Sequence, residues 1–304
     1  PHHLPLKGWY DVLLRAVKDV AADNLGLVSA GVAFYILLSP FPSLAAAISL
    51  YAFIADPGDI EQQFASLAVL IPAEARPLLL DQIHALATSS DKSLGITFLT
   101  GLTLALFSAM KGMKAIITAL NIVYDEKEKR GFLLLNFSAF LLTLASVAFL
   151  IVMLIMVVAV PVVLSYANLS NVSAGILSVV RWPVLLIVVT PVIAALYRYA
   201  PSRDKPKWRW VNWGAIFATV LWLAASLGFS IYVENFGNYN KAYGSIGALV
   251  ILLMWFYISA YALLIGAELN AEMEHQTKVD TTEGRPRPMG ERNAYVADTL
   301  GKSQ

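Results

Sequence analysis

The chain alternates long apolar runs with short charged connections, and the first run sets the scheme. Residues 24–55, NLGLVSAGVAFYILLSPFPSLAAAISLYAFIA, hold no charge between Asp23 and Asp56, yet carry a Pro-Phe-Pro step at Pro40 to Pro42. At ~1.5 Å per helical residue a continuous helix over this run would reach about 48 Å, against a hydrocarbon core of ~30 Å. It is long enough to cross a membrane and must tilt, kink or overhang. Proline removes a backbone donor and clashes with the carbonyl four residues back, so in lipid the freed groups need partners from neighbouring helices or a polar cavity.

Further apolar runs follow. The pattern predicts spans near 27–54, 94–120, 132–163, 176–199, 211–233 and 243–267. Residues 131–180 hold no charge and are too long for one crossing; the polar stretch SYANLSNVS at 165–173 divides them. Ahead of the first span, residues 1–23 place Trp9, Val12, Leu13, Ala16, Val17 and Val20 at helical spacing, the pattern of an amphipathic helix at the membrane surface. Arg15 is set to pair with Asp11 and Asp19 on its solvated face. The connection 56–93 reads as two short amphipathic helices parted near Pro72, and residues 268–304 as an exposed polar tail. The predicted fold is therefore an all-α polytopic membrane protein: six transmembrane helices (24–267), an N-terminal amphipathic interfacial helix, and short amphipathic helices in the first external loop.

Composition agrees with this reading. Of 304 residues, 58% are hydrophobic and 14% charged, where soluble proteins carry about 25% charged residues. The net charge of +1 matters less than where the charges fall. Lys7, Arg15 and Lys18 precede span one; Lys111, Lys114, Lys127, Lys129 and Arg130 surround the loop after span two; Arg198, Arg203, Lys205, Lys207 and Arg209 follow span four. The alternate connections hold Arg76, Lys92 and Lys241, with Arg181 just inside span four. The positive-inside rule then places both termini in the cytoplasm. The N-terminal stretch lacks the pattern of a cleavable signal peptide, so targeting is expected to fall to the first span.

Enzyme chemistry finds little support. The chain has no cysteine, which excludes disulfides, thiolate nucleophiles and cysteine metal sites. His2, His3, His84 and His275 are scattered, and no phosphate-binding Gly-x-x-x-x-Gly-Lys or nucleophile-elbow Gly-x-Ser-x-Gly occurs. We expect no catalytic activity, cofactor or metal. Asp56, Asp59 and Glu61 read as loop acids rather than a cation site. The KWRW and KEKR clusters are already explained by topology and anionic lipid, so no nucleic-acid partner is expected.

Candidate residues lie inside the spans. Gly31 and Tyr35 precede the Ser39-Pro40-Phe41-Pro42 break, and Gly244 and Gly247 are small residues at the outer end of span six; close helix packing and a cavity wall are both open readings. Arg181 is either a snorkelling anchor or an attractor of an anionic headgroup. Glu268 and Asn270 end span six, where an acid after so apolar a helix is expected to pair with Lys111, Lys114 or Arg198. Spans one and four each carry two prolines, three spans apart, a spacing compatible with inverted repeats.

SAGVAFYILLSPFPSLAAAISLY at 29–51 and YGSIGALVILLMWFYISAYALLIGAELNAEME at 243–274, with the six-span layout, resemble the YihY/BrkB family of bacterial inner-membrane proteins. Ala30, Gly31, Phe34, Tyr35, Pro42, Tyr243, Gly244, Gly247, Gly266, Glu268 and Asn270 match its motif positions. The resemblance implies a helical inner-membrane protein, described in the family as a virulence or serum-resistance factor and as a transporter or exporter of lipid-linked material. Some members carry the label ribonuclease BN, which finds no nuclease constellation here. The expected partners are membrane lipids and an anionic or lipid-like substrate, and nothing in the pattern sets an oligomeric state. The function expected is a flippase-like exporter with a cavity at the broken first span; the alternative is a membrane scaffold that binds lipids or proteins.

Overall fold

The computed structural model describes residues 6–43, 46, 91–166, 170–235 and 245–301. The amphipathic helices expected within 56–93, together with Asp56, Asp59, Glu61, His84 and Gly244, lie outside them. Among the described residues the protein is α-helical: α1 (Leu6–Ala22), α2 (Leu25–Leu37), α3 (Asp91–Val123), α4 (Phe132–Tyr166), α5 (Ser170–Tyr199), α6 (Trp208–Asn235), α7 (Ser245–His275) and α8 (Tyr295–Asp298).

Among the described residues, five stretches are long and apolar enough to cross a membrane: Leu25–Ser43, Gly95–Val123, Phe132–Val152, Trp208–Glu234 and Leu249–His275. They leave large apolar side chains exposed, among them Leu99 and Phe107 on α3, Phe137 and Leu141 on α4, and Val220 and Ile231 on α6. Exposed apolar surface on this scale has hydrocarbon as its natural partner. The protein is a multi-pass membrane protein.

The chain divides into two compact units. One comprises Pro1–Ala30, Met113–Ala225 and Ile258–Gln304; the other comprises Gly31–Gly112 and Ser226–Tyr257.

The second unit contains the break in the first span. α2 ends at Leu37, Leu38 and Ser39 turn, and the chain is helical again from Pro40 to Ser43. The Ser39 amide and hydroxyl both donate to the Ile36 carbonyl, at 3.0 and 2.9 Å. The Ser43 amide and hydroxyl do the same to the Ser39 carbonyl, at 3.2 and 2.7 Å. Pro40 and Pro42 thus occupy the first turn of a new helix, where amide groups have no intrahelical acceptor and proline removes nothing. At the break the two serines thus supply donors to the Ile36 and Ser39 carbonyls from within the same segment. Close packing in this unit falls at Gly112, where a Cβ would meet Ile36 at 3.3 Å, and at Gly101, where it would meet the Ala46 backbone at 3.1 Å. No described residue lies within 4 Å of a Cβ at Gly31.

In the first unit, α1 joins α2 through Asp23 and Asn24. Asn24 adopts φ 52°, the left-handed region that asparagine tolerates better than most residues. α1 buries Val12 against Trp210, Leu269 and Met273, and leaves Tyr10, Leu13 and Val17 exposed. α4 packs on α5. α6 and α7 cross at two glycines: a Cβ on Gly214 would stand 2.1 Å from the Gly266 carbonyl oxygen, and one on Gly266 would stand 2.5 Å from that of Gly214. Tyr197 of α5, fully buried, closes the crossing by donating to the Leu263 carbonyl at 2.5 Å.

Residues 276–301, expected as an exposed tail, are instead folded onto this unit. Thr282 bridges Pro206, Lys207 N–H donates to Thr281 O at 2.8 Å, and Glu283 N–H donates to Lys205 O at 2.9 Å, forming a short antiparallel seam along the α5–α6 loop. Buried Arg292 braces the tail by donating to the Ala297 and Lys278 carbonyls at 2.7 and 2.8 Å. Val296 and Ala297 are fully buried. The charge density that suggests disorder is here consumed by internal pairing.

Candidate functional site

The end of α7 reads AELNAEMEH and points its polar residues in two directions. Positions four apart share a helical face, so Glu268 and Glu272 face one way, while Asn270 and Glu274 face another. Both faces lie within the first unit, and Asn270, Glu272, Glu274 and His275 each find a partner distant in sequence.

Asn270 and Glu274 hold the α5–α6 region in place. Asn270 Oδ1 accepts from the Gly214 N–H at 2.8 Å, and its Nδ2 donates to the Val211 carbonyl at 3.1 Å, so its amide joins α7 to the first turns of α6. Glu274 receives Arg203 through two bonds of 2.8 and 3.3 Å and the Thr281 hydroxyl at 2.7 Å. Arg203 and Glu274 side chains are wholly buried. The guanidinium lies 4.0 Å from the centre of the Tyr124 ring, and burial raises the Tyr124 hydroxyl well above its ordinary pKa despite that cation. A pair this deep is held by its extra hydrogen bonds, since desolvation alone opposes it.

The other face meets α1. Arg15 is buried and bonds Glu272 through Nε and Gln276 at 2.7 Å through Nη2. This corrects the expectation of a solvated Asp11–Arg15–Asp19 face. His275 Nδ1 lies 2.9 Å from the other Glu272 oxygen, and its Nε2 lies 3.0 Å from the Thr299 hydroxyl. Asp19, Glu268 and Glu272 bring carboxylate oxygens within 4.8 Å of one another. Glu268 is 2% exposed and its Oε2 accepts no hydrogen bond. Of the expected partners Lys111, Lys114 and Arg198, Lys111 belongs to the second unit, and the other two are engaged elsewhere: Lys114 donates to Asn136, and Arg198 to Pro206 O and Glu283. Nearby Asp23 is pushed up to about 6, chiefly by burial and then by the charges of Asp125 and Asp19.

Beside these cores, on the same unit, opens a groove of about 270 Å³ lined by Lys129, Arg130, Arg198, Tyr199, Arg203 and Lys205, with Ser202, Asp204 and Asn293. The α3–α4 loop supplies its first wall. Arg130 is clamped by Glu128 through bonds of 2.7 and 2.8 Å and donates to Ala200 O at 2.8 Å, while Lys129 reaches Glu126 at 2.9 Å and Asn293 at 3.2 Å. The end of α5 supplies the second. Arg198 stacks on Trp208 and Tyr199, 4.8 and 5.4 Å from the ring centres, and the two rings meet edge to face at 6.2 Å. Lys205 is exposed, with its ammonium 5.1 Å from the Tyr199 ring. Cations with aromatic flanks at the ends of apolar helices suit an anionic group whose remainder is apolar.

The family described as virulence factor BrkB matches residues 16–291. The chain belongs to the BrkB family. Among its relatives, the ribonuclease-like protein YfkH of Bacillus subtilis is 33% identical over 259 residues, covering 83% of this chain and 90% of that protein. UPF0761 membrane proteins of Photobacterium profundum and Pseudoalteromonas translucida are 26% and 24% identical, over 88% and 90% of this chain and 82% and 88% of their own lengths. No solved structure matches. The match spans both faces of the end of α7 and every groove residue named above except Asn293.

The residues singled out from sequence are dispersed. Gly31, Tyr35, Ser39, Pro40, Pro42 and Gly247 belong to the second unit; Arg181, Glu268 and Asn270 belong to the first. Tyr35 is exposed and meets Phe34 edge to face at 5.6 Å, Gly247 is buried, and Arg181 lies within α5 ahead of Pro183. Glu268 and Asn270, two residues apart, turn to different faces. Sequence reading missed Arg15, Asp19, Arg203, Glu272 and Glu274. The signal that could have found the acids was their four-residue spacing from Glu268 and Asn270.

Proposed function

We propose that this BrkB-family protein handles anionic amphiphiles at the cytoplasmic face of a bacterial inner membrane, taking the headgroup in the groove beside Lys205 and passing the molecule across as a flippase-like exporter. The basic, aromatic-flanked groove at the end of α5 carries the reading. It is built from the same lysines and arginines that orient the chain by the positive-inside rule, so the groove and both termini belong to the cytoplasmic side. In this reading α5, whose described apolar part runs Pro183–Tyr199, is a sixth span, and α1 rests in the interface with Tyr10, Leu13 and Val17 toward lipid. Arg198 and Arg130 are held by their carboxylate partners, which pre-organises the cationic surface; Lys205 is the exposed contact. No catalytic step or nucleic acid enters, and the ribonuclease-like name of the Bacillus relative is not carried over.

The test is purified protein in liposomes bearing fluorescent lipids, with outer-leaflet reduction reporting transbilayer movement. Faster movement of anionic than of zwitterionic lipid, lost in Lys205→Glu, supports the proposal. Equal rates with and without protein, alongside anionic lipid that still binds in a Lys205-dependent way, replace it with the second reading, a non-transporting scaffold. That alternative draws on the folded cap of residues 276–301, which presents a structured surface to partners. Absence of lipid binding removes the exporter and the lipid-binding form of the scaffold, and leaves only a scaffold for protein partners.

A further inference from the structure

We infer that Asp19, Glu268 and Glu272 form a binding site for one hard divalent cation of the magnesium or manganese class, tying α1 to the end of α7. The oxygens of the three carboxylates lie within 4.8 Å of one another. That is the span covered by ligands of a single six-coordinate ion with metal–oxygen bonds of about 2.0–2.6 Å. Clustering of acids alone would say little. The independent observation is Glu268: it is 98% shielded from solvent, its Oε2 accepts no hydrogen bond from any described group, and that carboxylate is aimed into the cluster. Buried polar oxygens are nearly always satisfied, and an acid without a donor calls for a cation.

The surroundings favour this class of ion. Arg15 engages Glu272 from α1, and His275 sits on the opposite Glu272 oxygen, so both fix the orientation of that carboxylate. Asp23 and Asp125 add negative charge close to Asp19. The ligand set is all oxygen, which suits magnesium, manganese or calcium rather than zinc or copper. Asp19 is half-buried and opens the cluster to solvent, leaving room for the waters that magnesium keeps in its shell. The inference does not rest on lipid handling, because it uses none of the groove residues.

The experiment uses the full chain in detergent, stripped with a chelator. Manganese binding is followed by electron paramagnetic resonance, and heat stability by the fraction remaining monodisperse. The wild type is expected to bind one manganese ion saturably, to release it to magnesium, and to gain heat stability with either. Glu268→Gln and Asp19→Asn each lower the affinity at least tenfold, and Glu268→Gln, having lost a buried charge, is the more heat-stable protein in chelator. Asp204→Asn, an acid outside the cluster, leaves binding unchanged. Wild-type protein that binds no manganese saturably, or folded Glu268→Gln and Asp19→Asn that bind like wild type, overturns the assignment. Asp19 is partly exposed, so its variant stays informative even where Glu268→Gln does not fold.

Discussion

Replacing Gly214 by alanine tests the tight crossing that positions the whole polar end of α7. The new methyl would stand 2.1 Å from the Gly266 carbonyl oxygen and 2.5 Å from the Asn270 side chain. The first obstacle is backbone on a second helix and cannot rotate away, so α6 and α7 must part by roughly an ångström to restore ordinary contact. Overpacking of this kind costs about 1–3 kcal/mol. Parting also stretches the two hydrogen bonds of Asn270 to Gly214 and Val211, at about 1 kcal/mol each. Helix propensity returns about 1 kcal/mol for glycine to alanine, leaving a net loss of about 2–4 kcal/mol. At about 2–4 °C per kcal/mol for a chain near this size, the apparent unfolding temperature falls by about 5–15 °C. Gly228→Ala is the internal control: it lies on the same helix with nothing within 4 Å of its Cβ, and it should be neutral or slightly stabilising. Both are measured by heating detergent-purified protein and scoring the monodisperse fraction. A Gly214→Ala protein as stable as its parent, or a Gly228→Ala protein equally damaged, would refute the packing argument.

Arg203→Met leaves the Glu274 carboxylate buried with the Thr281 hydroxyl alone, and is expected to lower stability by about 3–5 kcal/mol; Arg203→Met with Glu274→Leu should lose less than the sum of the two single changes in the same heating assay. Pro42→Ala is expected to leave the unfolding temperature nearly unchanged, because an amide at the third position of the new helix has no intrahelical acceptor; Ser39→Ala, which strips a donor from the Ile36 carbonyl, should cost about 1 kcal/mol. Burial would raise the Glu128 carboxyl, but Arg130 side-chain and backbone donors and Asn121 outweigh it and hold it at about 2 against an ordinary 4.5. Its folded-state pKa is depressed, so its contribution is complete above pH 4.5 and disappears as the pH falls toward 2. Unfolding temperature followed across that window should drop more steeply for the parent than for Glu128→Gln, and parallel curves would count against the clamp.

The apolar runs sufficed to anticipate the five described stretches long and apolar enough to cross a membrane, because a chain in hydrocarbon must satisfy its backbone within each segment, and helices of sufficient length do so from local sequence alone. The connection at Asp23–Asn24, the break before Pro40 and the start of α6 near Trp208 were legible for the same reason: each is written in residues adjacent along the chain. The motif AELNAEMEH was also visible, with Glu268 and Asn270 singled out in it. Its meaning was not. Glu272 is met by Arg15 and Glu274 by Arg203, more than 70 residues away or, for Arg15, across nearly the entire sequence. Whether an arginine on an amphipathic helix faces solvent or a distant glutamate depends on the rotation of that helix against α6 and α7, and local charge spacing carries no information about it. The C-terminal residues make the same point. Composition alone suggests an exposed tail, whereas Arg292, Asp280 and Thr282 find partners on one another and on the α5–α6 loop, so their charges are neutralised where sequence could only count them. Sequence thus determined which segments are apolar and long enough to enter a membrane; the tertiary structure decided which polar residues meet at their ends, because ion pairing and close glycine contact arise between segments that the chain keeps far apart.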